Sequence, residues 1–108
     1  MIYEMRVYNC LPGRLPPLLK RFETITLRLF EKHGIHQFGF WTVAIGDSNQ
    51  QLIYMLQFES MAAREKSWSA FQSDPEWITA RAKTEEDGPM ISSISNSILM
   101  PTSFSAAK

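Results

Sequence analysis

The feature that most restricts how this 108-residue chain can fold is a pair of neighbouring segments that are apolar on both sides. His36 to Ile45 (HQFGFWTVAI) and Gln51 to Glu59 (QLIYMLQFE) each read as a β-strand, with the turn cluster Gly46-Asp47-Ser48-Asn49 between them. Together they form an antiparallel hairpin. In the first strand the alternation points Phe38 and Phe40 one way and Trp41, Val43 and Ile45 the other. In the second, Leu52, Tyr54, Leu56 and Phe58 oppose Ile53 and Met55. A sheet with helices on one face and water on the other alternates apolar with polar residues. These strands do not. Something must cover the second face, and a chain of 108 residues has no third layer to spare. A second copy is the simplest cover, so the expected state is a homodimer.

The remaining elements follow from local patterns. Ile2 to Asn9 alternates, with Tyr3, Met5 and Val7 on one face and Ile2, Glu4, Arg6 and Tyr8 on the other, which predicts a first strand. After the Pro12-Gly13 turn, Pro16 and Pro17 suit the opening of a helix running to about His33, with Leu15, Leu18, Phe22, Ile25 and Leu29 as its stripe. Gly34 is placed as its left-handed C-cap. Ser60 caps a second helix whose face is Met61, Arg64, Trp68 and Phe71, and Asp74-Pro75 opens a further helical segment carrying Trp77. Glu85-Glu86-Asp87 sets three acids at a helix C-terminus, where they are disfavoured, so that end is expected to fray into water. Ile91 to Met100 is the last strand, with Ile94, Ile98 and Met100 on one face and Ser93, Ser95 and Ser97 on the other. The order is β-α-β-β-α-β with an extra helical segment. Its helices pack on one face, which predicts an α+β, ferredoxin-like sandwich. Residues 1–100 form the expected single domain and 101–108 a loose tail.

Composition removes several function classes. Eleven Lys and Arg balance 11 Asp and Glu with no basic cluster, which argues against nucleic acid or an anionic membrane as partner. No apolar run reaches the ~20 residues of a membrane span. The chain enters strand-like sequence at once, with no signal or transit segment read before it. Cys10 is the lone cysteine, reads as a small hydrophobe near a strand end, and makes a reducing cytoplasmic setting the expectation. A domain of this size buries roughly 65% of its unfolded surface, enough for one core but not for a large closed cavity plus a cofactor domain.

Candidate chemistry is sparse. Glu4, Arg6 and Tyr8 share a strand face, where Arg6 could hold an anionic ligand with Glu4 orienting it. The plainer alternative, ranked first, is a charge pair at the dimer interface. His33 and His36 flank Gly34 without a third ligand, and neither HExxH nor CxxC occurs, so no metal and no cofactor are expected. His33 falls on the helix stripe as a satisfied or half-exposed histidine. Asn96 either orients a substrate or bonds the backbone, the second preferred.

The opening IYEMRVY followed by Pro12-Gly13, the junction FESMAAREKSW and the segment FQSDPEW resemble the NIPSNAP family, over essentially the whole chain to about Met100. That family lies in the dimeric α+β barrel superfamily, beside cofactor-free antibiotic-biosynthesis monooxygenases and haem-degrading monooxygenases. The resemblance implies a homodimer whose two sheets face each other as a barrel, and it assigns no activity, since most members have none established. Eukaryotic members tend to carry a leader and a second domain; this chain is read as having neither, and mitochondrial roles are not carried over. Glu4, Arg6 and Tyr8 match the family's strand motif. In the monooxygenase relatives a small aromatic or haem ligand occupies the space between helices and sheet. Here Arg6, Tyr8, Phe22, Trp68, Phe71 and Trp77 would line it. Three readings result: a filled core, a non-catalytic site for a small apolar or aromatic molecule, or a cofactor-independent monooxygenase in which His36, Tyr54 or Arg6 stabilises a substrate anion. The first two rank above the third.

Overall fold

In the computed structural model, which describes residues 1–108, four strands form one antiparallel sheet in the order β2-β3-β1-β4. They are β1 (Ile2–Cys10), β2 (His36–Thr42), β3 (Gln51–Phe58) and β4 (Ile91–Leu99). Register sets what each face carries. Arg6 stands opposite Tyr54 and Asn96, and Glu4 opposite Leu56 and Ile98, so these side chains share the inner face beneath the helices. Met5 stands opposite Met55 and Ser97, and Val7 opposite Ile53 and Ser95, on the outer face. The outer face is therefore apolar across β2, β3 and β1 and polar along β4.

The helices are α1 (Leu15–Arg21), a π-helical turn (Phe22–Thr26), α2 (Leu27–Lys32), α3 (Met61–Gln72) and α4 (Pro75–Thr84). The first three make one continuous run that ends where Gly34 takes a φ of +72°, a conformation open to glycine at little cost. Ser60 Oγ accepts from the Ala63 amide at 3.1 Å and Asp74 Oδ1 from the Glu76 amide at 2.9 Å. Both caps thus satisfy first-turn donors that have no intrahelical partner. Asp74 also accepts from Lys32 Nζ at 2.9 Å and lies 2.7 Å from His33 Nε2. One carboxylate in this way joins the end of α2 to the α3–α4 junction, and His33 is satisfied by it.

Four details depart from the sequence expectation. The stripe of the first helix changes phase, because the π turn inserts an extra residue into its ladder. Thr26 is buried there while Ile25 is left half-buried. Strand β2 ends at Thr42, so Val43 and Ile45 belong to the loop, and Ile45 is 98% exposed. Its register slips between Gln37 and Gly39. Phe38 is the extra residue of this bulge and lies against Tyr3 on the outer face, on the side of Trp41, whereas Phe40 stacks on Tyr54 inside. At the end of α4, Glu85 faces Arg21 and Arg81 instead of water alone. Beyond β4, Pro101, Thr102, Ser105 and Ala107 fold back beside Tyr3, Phe38 and Trp41. No helix is long and apolar enough to cross a membrane.

Candidate functional site

The inner face of β1 projects two opposite charges, Glu4 and Arg6, into the layer between sheet and helices. Burying either alone would cost several kcal/mol, and the chain supplies partners for both. Glu4 is fully buried and accepts from Arg6 Nη1 (2.9 Å), from Arg64 Nε and Nη2 (2.9 and 3.1 Å), and from Asn96 Nδ2 (3.0 Å). Burial alone would raise its pKa; the hydrogen bonds from Arg64, Asn96 and Arg6 outweigh this and hold it below the ordinary carboxylate value. The pair thus belongs to the helix-covered face and not to an outer interface. Asn96 bonds this carboxylate and not the backbone. Arg6 also donates to Tyr54 Oη at 3.0 Å and to Tyr8 Oη at 3.4 Å, while the two hydroxyls lie 2.8 Å apart. Its guanidinium sits 4.6 Å from the Trp68 ring centre. Arg6 is fully engaged.

Most of the space beneath the helices is filled. Phe40 stacks on Tyr54 at 4.6 Å, Phe22 meets both Tyr8 and Tyr54, and Phe71 joins Phe30 to Trp77. Phe22 and Phe71 are therefore core side chains, and Trp68 is a half-buried platform under two guanidiniums. The packing opens at the β2 edge, in a groove of about 440 Å³ lined by Leu27, Phe30 and Gln37 among others, and again where the helices stop short of β4. There a groove of about 480 Å³ runs between α4 and β4, lined by Arg6, Tyr8, Arg21, Trp77, Arg81 and Ile94 among others. Arg6, Tyr8 and Trp77 of the sequence candidates meet in it; Phe22, Trp68, Phe71 and Tyr54 do not line it.

The groove contains a residue that sequence reasoning did not single out. Arg21, the last residue of α1, is 4% exposed, and its Nε has no hydrogen-bond partner. Its Nη1 reaches Thr84 Oγ1 at 3.4 Å and Glu85 Oε1 at only 3.6 Å. Burial lowers its pKa, with Glu85 opposing the shift. Its position three residues after Leu18, beside the apolar stripe, is the signal that could have found it. Arg81, four residues after Trp77 on α4, is the second such residue.

The groups suggested for proton chemistry are dispersed. His36 stands opposite Gln57 in the register, on the outer face, while the groove lies at the opposite edge of the sheet. Tyr54 is completely buried, and burial raises its pKa well above the ordinary phenol value despite the nearby Arg6. No three His, Cys, Asp or Glu side chains gather in a metal-ligating group.

The NIPSNAP family model matches residues 3–106. A comparison with curated proteins finds no match. Among solved structures, a NIPSNAP family protein of unknown function from Agrobacterium tumefaciens is 26% identical, with 98% of this chain and 92% of that one covered and a TM-score of 0.85. A second NIPSNAP family protein from the same organism is 24% identical over 99% and 98% of the chains, with a TM-score of 0.88. A proposed antibiotic biosynthesis monooxygenase from Nitrosomonas europaea shares the fold at 12% identity over 94% and 98% of the chains, with a TM-score of 0.64.

Proposed function

The chain belongs to the NIPSNAP family, and on that premise we propose that it is a non-catalytic module that works as a homodimer and binds a small molecule in the groove between α4 and β4. The observation that carries this reading is the groove itself, where the inner-face packing opens beside both aromatic and guanidinium groups. Tyr8, Trp77, Ile91 and Ile94 offer apolar contact there, and arginines offer polar anchors. A general base must come within hydrogen-bond reach of the proton it takes. His36 is at the far edge of the sheet, and Tyr54 and Arg6 are committed to each other. Oxidation of an aromatic substrate by these three residues is for that reason the weaker reading.

The homodimer reading rests on the outer face. Met5, Val7, Ile53 and Met55 form its half-buried centre, and Phe38 and Trp41 are 48% and 50% exposed. A contiguous apolar surface of this kind is a mark of association. Obligate interfaces bury ~2,000 Å² or more, and a facing copy of the same sheet would supply it. A cytoplasmic setting is supported by the free, buried Cys10.

Light scattering on a size-exclusion column should report a dimer at micromolar concentration. Neutral N-phenyl-1-naphthylamine should gain fluorescence on the wild-type protein and lose that gain in Ile94→Glu, which places a carboxylate in the groove. Equal enhancement in the two proteins would put binding elsewhere. Oxygen uptake with anthrone-type substrates would replace the binding reading with an oxygenase.

A further inference from the structure

We infer that the groove is a site for a small organic carboxylate with an apolar body, its carboxylate held by Arg21 and Arg81 and its body lying against Trp77 and Ile94. This rests on the binding reading above and adds the ligand's chemical class. The argument begins from the contrast between the two buried arginines of the groove. Arg6 has Glu4 at 2.9 Å and two tyrosine hydroxyls. Arg21 has an orphaned Nε and its nearest carboxylate at 3.6 Å, and that same carboxylate lies 3.7 Å from Arg81 Nε. Charge-assisted N–H···O bonds are about 2.7–2.9 Å long. Glu85 is thus shared between two guanidiniums and makes a close bond with neither.

A buried cation left in this state is costly, and an anion entering the groove relieves the cost. The guanidinium fork favours a planar, bidentate acceptor, which a carboxylate is. Arg21 lies 5.3 Å from the ring centre of Trp77, a contact that orients its fork. Inorganic phosphate would satisfy the charge but leave the apolar wall wet. Ile94, 48% exposed on the inner face, is an open part of that wall. An aryl or acyl carboxylate satisfies both halves.

The test is calorimetric titration at low salt with 2-naphthoate, its uncharged isostere 2-naphthamide, and inorganic phosphate. The charge-assisted bonds should make naphthoate about tenfold tighter than the amide, an advantage that shrinks as salt rises. Arg21→Gln should abolish the advantage. Because Arg21 is buried, Arg81→Gln carries the test independently, its side chain being 57% exposed; there the advantage should fall several-fold with the melting temperature unchanged. Equal affinity for naphthoate and naphthamide would overturn the carboxylate assignment and leave the binding reading standing. Phosphate binding as tightly as naphthoate would overturn it in favour of a simple anion site. Unchanged naphthoate affinity in Arg81→Gln would overturn it as well. Silence from all three probes would overturn it too, and the neutral naphthylamine probe then decides whether the groove reading falls with it.

Discussion

On the helix-covered face of the sheet, Leu52, Tyr54 and Leu56 are at most 1% exposed, and the ions Glu4 and Arg6 sit among them. On the outer face of the same strands, one residue out of step, Met5, Val7, Ile53 and Met55 are half-buried and Trp41 is half exposed. The charged residues are inside and the uncharged apolar patch is outside, the reverse of what hydropathy alone would order. Burial here follows what the chain can bring to each face. Arg64 from α3 and Asn96 from β4 complete the coordination of Glu4, so the inner face closes with its charges matched. The outer face has only the folded-back segment after β4 along one side. An apolar surface without a cover remains open however hydrophobic it is.

This contrast can be broken in four ways. The largest effect should come from Glu4→Ala, which strands two arginines in the helix–sheet layer. It should cost about 3–5 kcal/mol in urea unfolding, and a loss below one unit would mean that water already reaches the network. Next, Leu56→Ala should cost about 2–5 kcal/mol, and Met55→Ala, its half-buried neighbour, well under half as much within a single chain. If the Met55→Ala loss approaches that of Leu56→Ala and grows with protein concentration, the outer face is covered by a second copy in solution.

Acid should act on the helix-covered side through the carboxylates of the inner face and of the helix junction. Glu4 is held below its ordinary pKa against the pull of burial, and Asp74 is held below its own by Lys32, His33 and the Glu76 amide. The unfolded chain therefore takes up these protons first, and stability that is fully present at neutral pH is lost as pH falls below about 4. Urea midpoints measured from pH 7 to pH 2 should show this decline, with a shallower slope in Asp74→Asn. A flat profile would mean that neither carboxylate is bonded as described. The smallest effect should be Ser60→Ala, about 1 kcal/mol for the lost cap, read from the same denaturant curves. It touches the helix layer only and should leave the association state unchanged.

What was legible in the sequence was what is local. The faces of β1, the caps at Ser60 and Asp74 and the glycine stop at Gly34 each depend on a few adjacent residues, and the structure carries all of them; the hairpin is apolar on both faces only as far as Thr42. The side taken by Phe38 was not legible, because a bulge is a relation between two strands and leaves the alternation of one strand intact. The π turn moved burial from Ile25 to Thr26, a phase change that simple helical spacing cannot anticipate. Of the site, Trp77 was readable as an inward-facing residue, and Arg6 and Tyr8 as sharing one face of β1, a face the first-ranked reading set at a dimer interface. Arg21 was passed over because an arginine beside an apolar stripe ordinarily reaches out to solvent. The groove exists only because α4 and β4 part from one another, and no residue pattern records a gap.

The bulge in β2 has a consequence for how copies of this chain may not meet. Strand β2 is one rim of the sheet, with a row of unpaired amides and carbonyls that would ordinarily template a further strand. At Phe38–Gly39 two residues stand against the single Met55, and the ring of Trp41 folds over Gly39 so closely that a Cβ there would come within 2.5 Å of it. A ladder growing along that rim meets a kink and a bulky indole halfway down its length. Fibre-like addition of strands along that rim is thereby obstructed in a chain whose exposed aromatics would otherwise invite it.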